Sequence, residues 1–309
     1  MLRRRRRVAA IPWVPLMALL VIAVWTAGCG GAAGTVSQTT AGGGTSLKVL
    51  AAETFLADIA QNVAGDKAQV QSLMPLGVDP HSFEPTPADI TRVAECTVLI
   101  VNGAGFEAFL DEMLKNAGGQ AQLIEAAAGL ASNGGDPHFW LDPTLVVKYV
   151  ENIRDGLSKA DPLDAAAYAA NAAAYIAALN DLDAWIKQQV AQIPPAQRLL
   201  VTNHESLGYF AARYGFTVVG TIVPSVSTDA APSAQQLAGL VDTIKQTGAR
   251  AIFLETGSNP QLAKQVAAET GVTVVTELYT HSVTEAGGLA PTYLDMMRAN
   301  TLAIVGALK

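Results

Sequence analysis

From Pro162 to Ile193 the chain reads "PLDAAAYAANAAAYIAALNDLDAWIKQQVAQI", with no glycine and no internal proline. Apolar residues recur at Tyr175, Ile176, Leu179, Leu182, Ile186, Val190 and Ile193, the spacing of one helix face. Alanine, the strongest helix former, fills the rest. Pro194 and Pro195 stop the run. Some 30 residues rising 1.5 Å each span roughly 45 Å, more than one small lobe needs. The stripe is not kept as heptads at both ends, so a coiled coil fits less well than a rigid strut.

Both flanks of the strut alternate short apolar runs with amphipathic ones. Before it, "KVLAA", "AQVQSLM", "CTVLIVNG" and "AQLIEAA" read as strands. "TFLADIAQNVAG", "TPADITRVAE" and "FEAFLDEMLKNA" read as helices between them. After it, "RLLVTN", "TVVGTIV", "AIFLET" and "VTVVTEL" are strands separated by three amphipathic stretches. "PTYLDMMRANTLAIVGAL" is a closing helix. Strand–helix alternation implies parallel βαβ units. The expected fold is α/β: two Rossmann-like βα lobes, 46–160 and 195–309, bridged by one long rigid helix at 161–194.

The N-terminus lies outside that fold. "MLRRRRR" precedes an apolar run and then "AGCG", the pattern of an export signal. Residues 1–28 read as a lipoprotein signal peptide and Cys29 as the lipid-modified first residue of the mature chain. Thr26 stands where leucine is commoner. An uncleaved transmembrane anchor is the alternative. Residues 29–45 are a flexible Gly/Ser/Thr/Ala tether. The body would sit at the cell membrane, lipid-anchored on the extracytoplasmic face.

Removing residues 1–28 takes five of the 20 basic residues and none of the 27 acidic ones, leaving a net charge of −12. Nucleic-acid binding needs a basic footprint and is excluded. The charge suits a handler of cations, and solubility alone explains it equally well. With Cys29 carrying lipid, Cys96 is a lone thiol in an apolar run. No disulfide framework or cysteine metal site is available.

The chain has four histidines: His81, His138, His204 and His281. Two fall in each lobe, on loops at strand ends or Pro-rich turns, where open α/β sheets bind ligands. Asp-Pro-His occurs twice, in "DPHSFEP" and "DPHFWLDP". A proline before each histidine stiffens the loop and lowers the ordering cost of binding. Asp79 and Asp136 suit turn-forming or an acceptor role toward an imidazole N–H. Any one such histidine is ordinarily a hydrogen-bonded loop residue. The set suggests one shared site in the cleft.

"GVDPHSFEPTPADI", "VNGAGFEAFLDEML", "PHFWLDP", "HESLGYFAARYGF" and "TYLDMMRANTLAIVGAL" together resemble the ABC-transporter solute-binding proteins of the zinc/manganese type. The resemblance covers essentially residues 47–309. It implies His81, His138 and His204 as metal ligands. The third position tends to be Glu in manganese-type members and His in zinc-type ones. Here it is His204, with Glu205 beside it. Where members often place a ligand Asp, this chain reads "ELYTHS", which puts His281 in that role, with Glu277 or water as the fallback. Glu255 in "FLETGSNP" is expected to support the site without ligating. The His-rich loop of some zinc-binding members is absent: only "ASNGG" separates "AAAGL" from "DPHFW".

Imidazole suits zinc, carboxylates suit manganese, and four nitrogens describe a closed zinc shell. The expected function is an extracytoplasmic receptor, not an enzyme. It captures Zn2+ between its lobes and delivers it, as a monomer, to an ABC permease. A Mn2+ receptor of the same family is the alternative. The rivals from other classes are a zinc-dependent hydrolase, which would need an open coordination position, and an adhesin or structural lipoprotein with incidental metal. Metal should hold less well below about pH 6, near the unperturbed histidine pKa of roughly 6.5. The strut implies small lobe tilts on binding, not wide hinge closure.

Overall fold

The computed structural model describes residues 47–309. The signal segment 1–28, Cys29 and the tether 29–45 lie outside the described residues.

The first lobe is built on strands β1 (Val49–Ala51), β2 (Val70–Ser72), β3 (Val98–Val101) and β4 (Gln122–Glu125). They pair in parallel in the order β2-β1-β3-β4. The central strands β1 and β3 are buried along their whole length, which is why they read as unbroken apolar runs. Helix α1 (Thr54–Ala64) follows β1 and stops at Gly65, whose N–H caps Gln61 O. Helix α2 (Pro87–Glu95) starts from a capping box between Thr86 and Asp89, and α3 is Leu110–Ala117.

The second lobe repeats the scheme with β5 (Leu199–Thr202), β6 (Thr217–Thr221), β7 (Ala251–Glu255) and β8 (Thr273–Leu278), ordered β6-β5-β7-β8 and all parallel. Its helices are α6 (Gly208–Tyr214), α7 (Ala234–Thr247), α8 (Gln261–Thr270) and α9 (Tyr293–Leu308). The two-lobed α/β class expected from the sequence is the class observed.

The connection is richer than a single strut. Helix α5 runs over Ala165–Val190, 26 residues or about 39 Å. It is shorter than the sequence implied because Pro162–Asp164 forms a 3-10 turn. Helix α4 (Pro143–Ala160), unassigned in the sequence reading, packs along α5. It begins on Asp142, whose side chain caps Thr144 N–H, and Pro143 takes the first helical position. Gly156 lets it approach β4, since a Cβ there would sit 2.3 Å from Ile124 Cδ1. Helix α9 returns from the second lobe to pack on α5 and α1.

One apolar cluster therefore runs through both lobes. It joins Phe55, Trp140, Tyr149, Leu182, Ile186, Phe210, Tyr293 and Met297, all almost fully buried. A core this continuous resists a wide hinge. Among the described residues no helix is long and apolar enough to cross a membrane.

Candidate metal centre

The two Asp-Pro-His segments fold the same way locally. Asp79 Oδ1 accepts the His81 N–H at 3.0 Å, and Asp136 Oδ1 accepts the His138 N–H at 2.9 Å. Proline between them has no N–H to compete, so each aspartate closes a turn on the histidine two residues on. Asp79 reaches further: its Oδ2 accepts from Thr228 Oγ1 at 2.6 Å, across to the second lobe. Asp136 instead turns back, with Oδ1 2.8 Å from His138 Nδ1.

His204 follows β5, held by Thr202 Oγ1 donating to its carbonyl at 2.7 Å. Glu255, at the carboxyl end of β7, places Oε1 2.7 Å from His204 Nδ1. The same carboxylate accepts from Asn203 Nδ2 and Ser206 Oγ, each at 3.1 Å. His281 follows β8. Its segment is tied down by Trp140, whose Nε1–H donates to Thr280 O at 2.6 Å. Gly77 N–H also donates to Ser282 Oγ at 2.9 Å, joining the His81 loop to the His281 loop.

These four loops bring one ring nitrogen of each histidine within 4.8 Å of every other. His138 Nε2 lies 3.3 Å from His81 Nε2 and 3.2 Å from His204 Nε2. His281 Nε2 is buried and has no partner. A tetrahedral ion with ligands at about 2.0–2.1 Å sets its nitrogens roughly 3.3–3.4 Å apart. His138, His204 and His281 are buried, and His81 is half-buried. A small cleft of about 80 Å³, lined by Asp79, Glu255, Thr256, His281 and Ser282 among others, lies beside them.

Burial disfavours the charged form of three of these rings. Burial, then the neighbouring rings of His204, His281 and His81, push His138 well below its ordinary value. Burial likewise brings His281 down to about 4, against the raising pull of Glu255. Burial and His204 lower His81. Burial would push the Glu255 carboxyl up, but His204, His281 and Asn203 outweigh it and hold it at about 2. Burial raises Asp136 to about 6, partly offset by the His138 N–H. Asp136, hydrogen-bonded on the Nδ1 side of His138, draws that ring's proton there, and Glu255 lies on the Nδ1 side of His204. His138 Nε2 and His204 Nε2 face each other at 3.2 Å with the unpartnered His281 Nε2 in the same cluster, a set of nitrogen donors that suits a cation.

Two residues named from the sequence are elsewhere. Glu277, the fallback fourth ligand, is exposed on β8 and lines a surface groove with Tyr279, Asp295 and Arg298. The pleat turns it away from the side taken by buried Leu278. Glu205 is also exposed and lines a separate groove with Asp136 and Leu207. Glu255, by contrast, is buried beside His204. Trp140 and Phe106, which the sequence reading did not single out, wall the cluster. Phe106 packs edge-on to His81 with ring centres 5.1 Å apart. Trp140 lies 5.1 Å from His138.

Comparison with known proteins gives a consistent picture. The family model ZnuA, described as zinc-uptake complex component A, periplasmic, matches residues 49–307. The manganese-binding lipoprotein MntA of Halalkalibacterium halodurans is 36% identical over 296 residues, 94% of this chain and 96% of the relative. The Mn-bound periplasmic metal-binding protein of Candidatus Liberibacter asiaticus superposes with a TM-score of 0.76 at 28% identity, covering 84% of this chain and 99% of that one. The periplasmic zinc-binding protein TroA of Treponema pallidum gives 0.78, at 27% identity over 85% and 99%.

Proposed function

Because the chain belongs to the ZnuA family of metal ABC-transporter solute-binding proteins, we propose that it is the receptor that captures Zn2+ for import. The family fixes the coarser statement: an extracytoplasmic metal-binding component of an ABC transporter, working with a permease and not as an enzyme. The hydrolase alternative falls with it. The choice of ion is our own reading.

The observation that carries zinc is the donor set. Four imidazoles converge and no carboxylate is among them. Nitrogen donors favour zinc, and manganese prefers oxygen. The relatives named for manganese keep a Mn2+ receptor as the second reading. His81, His138, His204 and His281 would each give one nitrogen to the ion. The nearby Asp79, Asp136 and Glu255 offset its double charge without touching it. His81, the half-buried member, marks the side from which the ion enters and leaves.

Handover then needs little motion. The His81 loop is held to the second lobe by Thr228 and Ser282, and the core beneath is continuous. Small tilts or loop shifts suffice to open the shell toward a permease. Tethering through lipid on Cys29, and action as a monomer, complete the proposal. Competitive titration of the purified protein tests it. Zn2+ binding at least about a hundredfold tighter than Mn2+ is expected from the ligand chemistry. Equal or tighter Mn2+ binding selects the second reading.

A further inference from the structure

Behind the histidines, on the first-lobe side, lies a group of buried polar residues that metal binding does not use. Glu53 precedes α1 at the carboxyl end of β1 and is fully buried, and neither of its carboxyl oxygens meets a donor. The carboxyl group of Glu107, also buried, is its neighbour. Glu107 Oε1 accepts the Asn102 N–H, and Oε2 accepts the Gly103 N–H at 3.1 Å. Asn102 in turn donates through Nδ2 to Pro137 O at 3.2 Å, the carbonyl just before His138. Its Oδ1 accepts from Tyr149 OH.

The backbone that Glu107 holds is unusual. Gly103, Ala104 and Gly105 have φ of 79°, 55° and 77°, and Ala104 is the only non-glycine at positive φ among the described residues. A left-handed alanine persists only where its surroundings fix it. The turn delivers Phe106, whose ring meets His81, His138 and Trp140 at 5.1, 5.7 and 4.8 Å between centres.

Two carboxylates in one dry pocket cannot both ionise. Burial, followed by repulsion from Glu107, raises Glu53 well above the carboxylate range, and burial raises Glu107 to about 7. Glu107 has the Asn102 and Gly103 N–H groups to stabilise its charge, whereas Glu53 has only its own backbone N–H nearby, and that is outweighed by burial. The proton therefore belongs on Glu53. Tyr149 is the other titratable group packed here, and its hydroxyl is engaged with Asn102.

We propose that Glu53 and Glu107 form an acid pair sharing one proton, Glu53 donating to Glu107, and that this pair is the positioning element that locks the left-handed 103–105 turn, and with it Phe106 and the Pro137–His138 segment, against the metal centre. The pair is independent of which ion binds. Its effect on release rests on the metal-receptor reading above.

Infrared difference spectroscopy on the full chain, metal-free at pH 7, tests the pair. A protonated carboxylic acid band that shifts in D2O is expected in the wild type and absent in the isosteric Glu53→Gln. Absence of that band in the wild type, or its survival in Glu53→Gln, overturns the proposal. Zinc release to a chelator, followed by stopped flow, tests the positioning. Glu53→Gln keeps a donor to Glu107 and should release zinc within about threefold of wild type. Glu53→Ala and Glu107→Ala should release it about tenfold faster, the scale of lost outer support at a metal site. Wild-type rates in both alanine variants overturn the positioning role. Failure to bind zinc with the infrared band present overturns the metal reading and leaves the acid pair standing.

Discussion

Glu255 Oε1 lies 2.7 Å from Nδ1 of His204, while Nε2 of the same ring faces His138 Nε2 at 3.2 Å. The carboxylate is thus behind the ring, where, on the metal-receptor reading proposed above, it would orient the imidazole and add negative charge without ligating the ion. Glu255→Gln should weaken zinc binding by about ten- to a hundredfold while leaving the fold intact. Competition with a fluorescent chelator reads that loss. An unchanged affinity would show that the contact does not orient the ring.

Asp136 plays the same part for His138, with the added task of closing the turn. Asp136→Asn keeps an oxygen for the backbone N–H but removes the charge behind the ring. Zinc affinity is expected to fall by about tenfold, with less effect on thermal stability than Asp136→Ala. Calorimetric titration and thermal melts on the same samples separate the two effects.

His281 and Glu277 are distinguished by geometry. His281→Ala should cost about a hundredfold or more in zinc affinity, since it removes a donor from a four-nitrogen shell. Glu277→Ala should leave affinity unchanged. His281→Asp supplies an oxygen donor and should narrow the gap between Zn2+ and Mn2+. Titrations with both ions measure all three variants.

Binding requires neutral imidazoles, so protons compete with the ion only where the metal-free rings take them up. Burial first, with the neighbouring rings, lowers His138 and His81, and brings His281 to about 4. A folded-state value below the free one moves proton competition to lower pH. For His281 competition therefore begins well below the pH 6 expected from unperturbed histidines, and for His138 and His81 it is displaced in the same direction. Zinc retention measured by dialysis across pH 4 to 7 should hold at pH 5.5. Half-release near pH 6.5 would show that the rings are not shielded.

Much of the architecture was legible because it follows from local periodicity. Most of the eight strands among the described residues are apolar runs between turn residues, and α5 is an alanine-rich stretch closed by Pro194 and Pro195. Helix α4 is harder to read, because its start signal, Asp142 and Pro143, lies inside the ligand-loop motif "DPHFWLDP". Both Asp-Pro-His turns were visible as motifs. Their different second tasks were not, since Thr228 meets Asp79 only through tertiary folding. Strand parity could have separated Glu277 from Leu278, but nothing local shows which face of β8 a site will use. The Glu53–Glu107 pair joins residues far apart in sequence and leaves no pattern in it.

X-ray absorption at the zinc edge of the zinc-loaded protein tests the central claim most directly. Four nitrogen donors at about 2.0 Å, with imidazole outer-shell scattering from four rings, are expected. Loss of one ring should follow from His281→Ala. A shell containing carboxylate or several water oxygens, or one that His281→Ala leaves unchanged, contradicts the account.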